Sequence, residues 1–152
     1  SIGGSVGWSN LSDGRFKTQI NTDVPGLDFI LKLPPVTFHW DLGALEDFRS
    51  EDNAAKGEED PAGRDPKMAQ ARREKEQKVY SGFVAQQVEK AAEACGYDFS
   101  GIIKPTTEKS VYNLTYSEFV VPLVKAVQQQ QKLIEQQQQQ IEQLQQQVRK
   151  LK

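Results

Sequence analysis

The last third of this chain constrains its fold more than any other feature. Val120, Val127, Ile134, Ile141 and Val148 recur every seven residues, and Leu123, Gln130, Gln137, Leu144 and Leu151 each stand three positions further on. Five heptads in phase predict a long helix whose apolar seam meets other helices of the same kind, so residues 119–152 read as a coiled coil. The regular apolar spacing sets this segment apart from a disordered glutamine tract. β-Branched residues at the first core position with leucine at the second favour two strands. Two of the core layers are glutamine, however, and a wider three-stranded core would let those amides bond one another around the axis.

Little of the chain is then left for a core. Of the 152 residues, those from Asp41 to Lys78 are nearly all charged, small or helix-breaking, with Leu42, Leu45, Phe48 and Met68 as the larger apolar exceptions. The globular portion is therefore about 80 residues, a size that usually draws on outside support such as oligomerisation. A net charge of -2 with interspersed signs offers no broad basic field, which argues against nucleic acid as a partner. No apolar run is long enough for membrane insertion, and the first residues lack the pattern of a signal peptide. Ser1 reads as a cut point within a longer polypeptide. Cys95 is the sole cysteine, so no internal disulfide or thiolate metal cluster is expected; it reads as a small, partly buried residue late in a helix. His39 is the sole histidine and lies in the strand-like run Val36 to Trp40, where a structural role fits best. No metal and no cofactor are expected.

Along the chain, Ile2, Val6 and Trp8 alternate in a glycine-rich stretch, as in an extended segment arriving from an upstream domain. Asp13-Gly14 is a two-residue hairpin signal. In that hairpin Ser12 would face Arg15, Leu11 would face Phe16, and Asn10 would face Lys17. Ser12, Arg15 and Lys17 would then project from one side, with the Lys17 amine diagonal to the Ser12 hydroxyl. A regular helix or strand would not bring residues five apart together, so the turn is the critical inference.

Further on, Gly26 to Leu33 has the spacing of a short amphipathic helix stopped by Pro34-Pro35, and Val36 to Trp40 reads as a strand. The charged excursion over 41–78 reads as a short helix near Leu45, a flexible stretch from Gly57 to Pro66, and a solvated helix through Arg72 and Glu76. Val79 to Val84 resumes a strand. Val88, Ala91, Ala92 and Cys95 are spaced as on a helix that ends at Gly96. Tyr97 to Ser110 is loop with an apolar break at Ile102-Ile103, Val111 to Leu114 is extended, and Thr115 or Ser117 opens the last helix, with Pro122 in its first turns. The fold class expected is α+β, with short strands and helices ahead of one long C-terminal helix.

Taken in order, Ser12-Asp13-Gly14-Arg15-Phe16-Lys17, Gly26 to Leu33 with Pro35-Val36-Thr37-Phe38, Gly82-Phe83-Val84-Ala85-Gln86-Gln87-Val88-Glu89, and Tyr116 to Val127 resemble one family. It is the C-terminal intramolecular chaperone domain of phage tailspikes, tail fibres and endosialidases, shared with myelin regulatory factor and many bacterial surface proteins. The resemblance implies a homotrimer that helps an upstream β-rich fibre region of the same chain to fold and then cuts its own chain. It implies a virion or bacterial-surface setting, and gives residues 1–11 as the end of the fibre, 12–118 as the chaperone and autoprotease domain, and 41–78 as an insertion. The compact phage examples lack that insertion.

Matched residue by residue, the resemblance makes Ser12 the nucleophile, Lys17 the base, and Leu11-Ser12 the scissile bond. Ser-Lys pairs are a known variant of serine catalysis. A lysine must lose its proton to act as base, which calls for desolvation or a nearby positive charge. Arg15 is the candidate for that charge, and the assembled trimer for the dry surroundings. For the oxyanion, a backbone N–H and the Gln86 amide are the candidates. The competing reading is a trimeric cap or stalk that registers three chains and stays attached; a receptor-binding knob ranks last, because the aromatic residues fall in expected core elements. Eleven residues precede Ser12, as expected of a bond not cut, a fragment that stays bound, or a member that keeps the fold without cutting.

Overall fold

A computed structural model describes residues 11–48 and 66–151. The extended segment expected over Ser1 to Trp8 and most of the stretch expected to be flexible, 57–65, lie outside the described residues. The elements in chain order are a 3-10 turn at Gly14–Phe16, α1 (Leu27–Ile30), β1 (Val36–Phe38), a helical run α2 over residues 42–48, and α3 (Pro66–Gln77). There follow β2 (Tyr80–Gly82), α4 (Ala85–Glu93), β3 (Ile102–Ile103), β4 (Asn113–Leu114), a 3-10 turn at Tyr116–Phe119, and α5 (Val120–Lys150). The domain is a small mixed one with short antiparallel strands and a long C-terminal helix.

The strands form two separate antiparallel pairs. In the first, Val36 faces Gly82, Thr37 faces Ser81 and Phe38 faces Tyr80. Pairing β1 directly with β2 closes a loop around the charged excursion, which leaves the core undisturbed. Arg72 ties that excursion together, bonding Glu46 of α2 and Glu76 one turn along α3. His39 Nδ1 lies 2.9 Å from the Glu76 carbonyl oxygen, so the sole histidine joins the end of β1 to α3.

The second pair sets Ile102 opposite Leu114 and Ile103 opposite Asn113. Ile102-Ile103, read from sequence as a break within a loop, is therefore a strand. Two residues are too few to display a period of two. The antiparallel partner, not a local pattern, makes this segment extended.

The core is aromatic. Phe29, Leu33, Val88, Ala91, Ala92, Phe99 and Phe119 are buried, with Phe83, Tyr97, Ile102 and Leu114 packed around them. Phe29 meets Tyr97 edge-on at 5.3 Å between ring centroids, and Phe99 meets Phe119 edge-on at 4.7 Å, the offset geometries that aromatic quadrupoles favour. Val88, Ala91 and Ala92 deliver the apolar face of α4 at the expected spacing. Past α4, Tyr97 N–H donates to Ala92 O at 2.9 Å and Gly96 N–H to Glu93 O at 3.0 Å, with Gly96 at φ 60°. This is the Schellman closure, and it explains the glycine stop read from the sequence.

α5 opens through the 3-10 turn at Tyr116–Phe119, after Thr115, whose side chain makes no capping hydrogen bond. Pro122 is the third residue of α5 and is buried, which costs no helical hydrogen bond because the first N–H groups of a helix have no partner within it. α5 packs on α1 through its first turns alone; every residue from Gln131 to Lys150 is exposed.

Candidate functional site

The Ser12–Lys17 segment folds around a carboxylate. Asp13 caps the 3-10 turn: its Oδ1 accepts from the Arg15 backbone N–H at 2.9 Å, while the Arg15 guanidinium grips both carboxylate oxygens, Nη2 to Oδ2 at 2.6 Å. Phe16 N–H then donates to Asp13 O at 3.1 Å and Lys17 N–H to Gly14 O at 3.2 Å, closing the turn. The expected hairpin is therefore corrected: among the described residues no strand flanks Asp13-Gly14, and the chain turns through a 3-10 turn, while Asn10 of the expected Asn10–Lys17 pair lies outside the described residues. An aspartate ahead of a tight turn can cap it with its side chain, and that local bond is available without a cross-strand partner.

The juxtaposition the hairpin was meant to explain is present all the same. Lys17 Nζ donates to Ser12 Oγ at 2.8 Å across the mouth of the turn. Three tightly wound residues bring the chain back on itself, Lys17 resumes extended backbone (φ -109°, ψ 131°), and its four-carbon stem covers the remainder. The expected partner Arg15 behaves differently. Its charge is spent on Asp13, whose carboxyl is pulled below the ordinary value, first by the Arg15 side chain and then by the Arg15 N–H. Arg15 adds no free positive charge beside Lys17.

Nor does the single chain provide dry surroundings. Ser12 and Lys17 are both exposed, and Leu11, on the other side of the expected scissile bond, is 83% exposed. Gln86 is placed elsewhere, at the start of α4, on an open groove of about 690 Å³ that it lines with Phe38, Trp40, Tyr80 and Tyr116. Neither Ser12 nor Lys17 belongs to that lining. The structure thus brings Ser12 and Lys17 together and leaves Arg15 and Gln86 outside the pair.

The heptad seam is equally uncovered in the single chain. Val120, Leu123, Val127, Ile134, Ile141, Leu144, Val148 and Leu151 are all exposed, Ile141 at 48% and Val127 at 63%. Among the described residues no helix is long and apolar enough to cross a membrane.

Two contacts not foreseen in the sequence join α5 to the segment that follows Lys17. Gln129 Oε1 accepts from the Leu27 backbone N–H at 2.7 Å, and Lys125 Nζ donates to the Thr22 carbonyl at 3.1 Å. Gly26 lets the strands of chain approach: a Cβ there would meet the Gln129 carboxamide and come within 2.8 Å of the Ala126 nitrogen. In a run of glutamines nothing local marks Gln129.

A family model described as chaperone of endosialidase, from a peptidase family, matches residues 12–97, a span that opens on Ser12. Searches of curated proteins and of solved structures returned no match to the chain.

Proposed function

The chain belongs to the chaperone of endosialidase family, and from that membership we propose that it is a trimerising intramolecular chaperone that cuts its own backbone between Leu11 and Ser12. The observation that carries the cleavage reading is the 2.8 Å contact between Lys17 Nζ and Ser12 Oγ, one residue after the bond to be cut. In the reaction, neutral Lys17 takes the Ser12 hydroxyl proton as Oγ attacks the Leu11 carbonyl carbon. The Leu11–Ser12 amide bond breaks, the proton passes to the departing Ser12 nitrogen, and an ester links Leu11 to Ser12 Oγ. Water opens the ester, leaving a Leu11 carboxyl group and a free Ser12 amine and hydroxyl.

The exposure of both groups in one protomer fits a device that waits for assembly. An amine in water is protonated at neutral pH and cannot act as a base. Three copies zipped along the seam of α5, each with an upstream fibre region beside Leu11, would shield the pair and switch it on. The β-rich fibre would then be cut free only after its three chains are in register. That seam is also what a chaperone of three chains needs for itself.

The alternative is a trimeric cap that registers the chains and stays attached, favoured by the engagement of Arg15 with Asp13 rather than with the pair. Intact mass of freshly purified wild type, Ser12→Ala and Lys17→Ala decides between them. Self-cleavage predicts loss of residues 1–11 from wild type alone; equal cutting in all three removes the pair as its agent. A wild-type chain that stays whole as a trimer supports the cap.

A further inference from the structure

The first turns of α5 carry two stripes. Pro122 and Ala126 are buried and Lys125 and Gln129 half-buried, at the i, i+3, i+4, i+7 spacing of one helix face, whereas Val120, Leu123 and Val127 on the seam are exposed. The covered face is the one that grips the chain between Thr22 and Leu27. Thr22 is five residues beyond Lys17, so the pair is leashed to α5 by at most about 17 Å of extended chain. The leash is bent at Gln19, which takes φ 52°, a left-handed conformation that a side chain resists.

We propose that Lys125 and Gln129 are positioning residues for the Ser12–Lys17 pair, clamping its leash to the helix face that lies next to the oligomerisation seam. The inference rests on the self-cleavage reading above. The physical link is direct. A seam residue such as Val127 lies between Lys125 and Gln129 in the chain, so the helical turns that pair with other copies are the turns that hold Thr22 and Leu27. Both bonds are formed in the single chain, so association along the seam carries them, and through the leash the pair, to a fixed place relative to the threefold bundle. Gly26 makes the grip close enough for the Leu27 N–H to reach Gln129. Either clamp contact breaks without touching Ser12, Lys17 or the seam.

The test uses the full chain as wild type, Gln129→Leu, Gln129→Glu, Lys125→Ala and Lys125→Arg, all followed by light scattering, amide exchange at Leu27 and intact mass over time. Gln129→Leu keeps the volume and removes the acceptor; Gln129→Glu restores an acceptor. Lys125→Ala removes the donor and Lys125→Arg restores one. The expected result is an unchanged subunit number in all five, faster Leu27 exchange in Gln129→Leu, and cleavage slowed roughly five- to tenfold in Gln129→Leu and Lys125→Ala, the scale of one lost hydrogen bond. Gln129→Glu and Lys125→Arg should recover most of the rate, which a general loss of stability would not allow. Cleavage at the wild-type rate in both deletion variants would overturn the positioning role while leaving self-cleavage intact. An uncut wild-type trimer would instead remove the self-cleavage reading, and this inference with it.

Discussion

At the scale of single residues, the clearest electrostatic arrangement outside the candidate site is at Glu89. Its side chain is 18% exposed and receives the Lys104 ammonium and the Tyr112 hydroxyl, the latter at 2.8 Å. These contacts, Lys104 first and Tyr112 second, hold the Glu89 carboxyl below its ordinary value. A carboxyl depressed in the folded state adds stability above its unfolded value of about 4.3, and that contribution is lost as pH falls through the folded value. Glu89→Gln keeps an acceptor for Tyr112 and removes the charge. Wild type should therefore melt above the variant near neutral pH, and the gap should close as pH drops below about 4. Thermal melts of both proteins across that range check it, and a gap that persists in acid would assign the effect to packing. Cys95 makes a quieter case: burial, helped by the Asp28 carboxylate, raises its thiol, which suits the structural role read from sequence.

At the scale of elements, termination and pairing do most to shape the domain. α4 ends where Gly96 adopts φ 60°, and a Cβ added there would meet nothing within 4 Å. The penalty for alanine is therefore conformational and not steric. Gly96→Ala should lower stability by about 1 kcal/mol, with Gly96→Asn losing less because asparagine tolerates the left-handed region. Denaturant unfolding of the three proteins measures the order, and an asparagine variant as unstable as alanine would contradict it. The two strand pairs show the complementary case. β1 and β2 are three residues each and far apart in the chain, so neither stands alone; their pairing is backed by the Phe38, Trp40 and Tyr80 rings, which meet at centroid distances of 5.3 to 6.4 Å.

At the scale of the whole molecule, a small aromatic core carries a helix far longer than the core can cover. From Gln131 to Lys150 every residue of α5 is exposed, its seam residues included. Burying each such side chain is worth about 1.5–3 kcal/mol, and a second or third copy of α5 offers the matching spacing. Ile141→Asp places a charge in the middle of that seam. It should drop the subunit number to one by light scattering and lower helicity, while the near-ultraviolet signal of the Phe29, Phe99 and Phe119 core persists, because Ile141 touches none of it. An unchanged subunit number would reject the seam as the association surface.

The sequence by itself determined what local free energy decides. Seven-residue spacing specified α5 and its apolar seam, and Val88 to Cys95 specified α4 and Gly96 its stop, whereas the helix expected from Gly26 to Leu33 closes at Ile30, ahead of Pro34-Pro35. It also singled out Ser12 and Lys17, for their chemistry and their order among other family segments. How the two meet was also a local matter that the Asp13-Gly14 hairpin signal obscured, because the Asp13 carboxylate captures Arg15 two residues on and favours a 3-10 turn; the more distant matters fell to tertiary structure. It alone made Ile102-Ile103 a strand and distinguished Gln129 from its glutamine neighbours, through a bond to Leu27 across 102 residues of chain. Periodicity records which face of an element seeks cover; it carries no record of the distant group that will supply a hydrogen bond there.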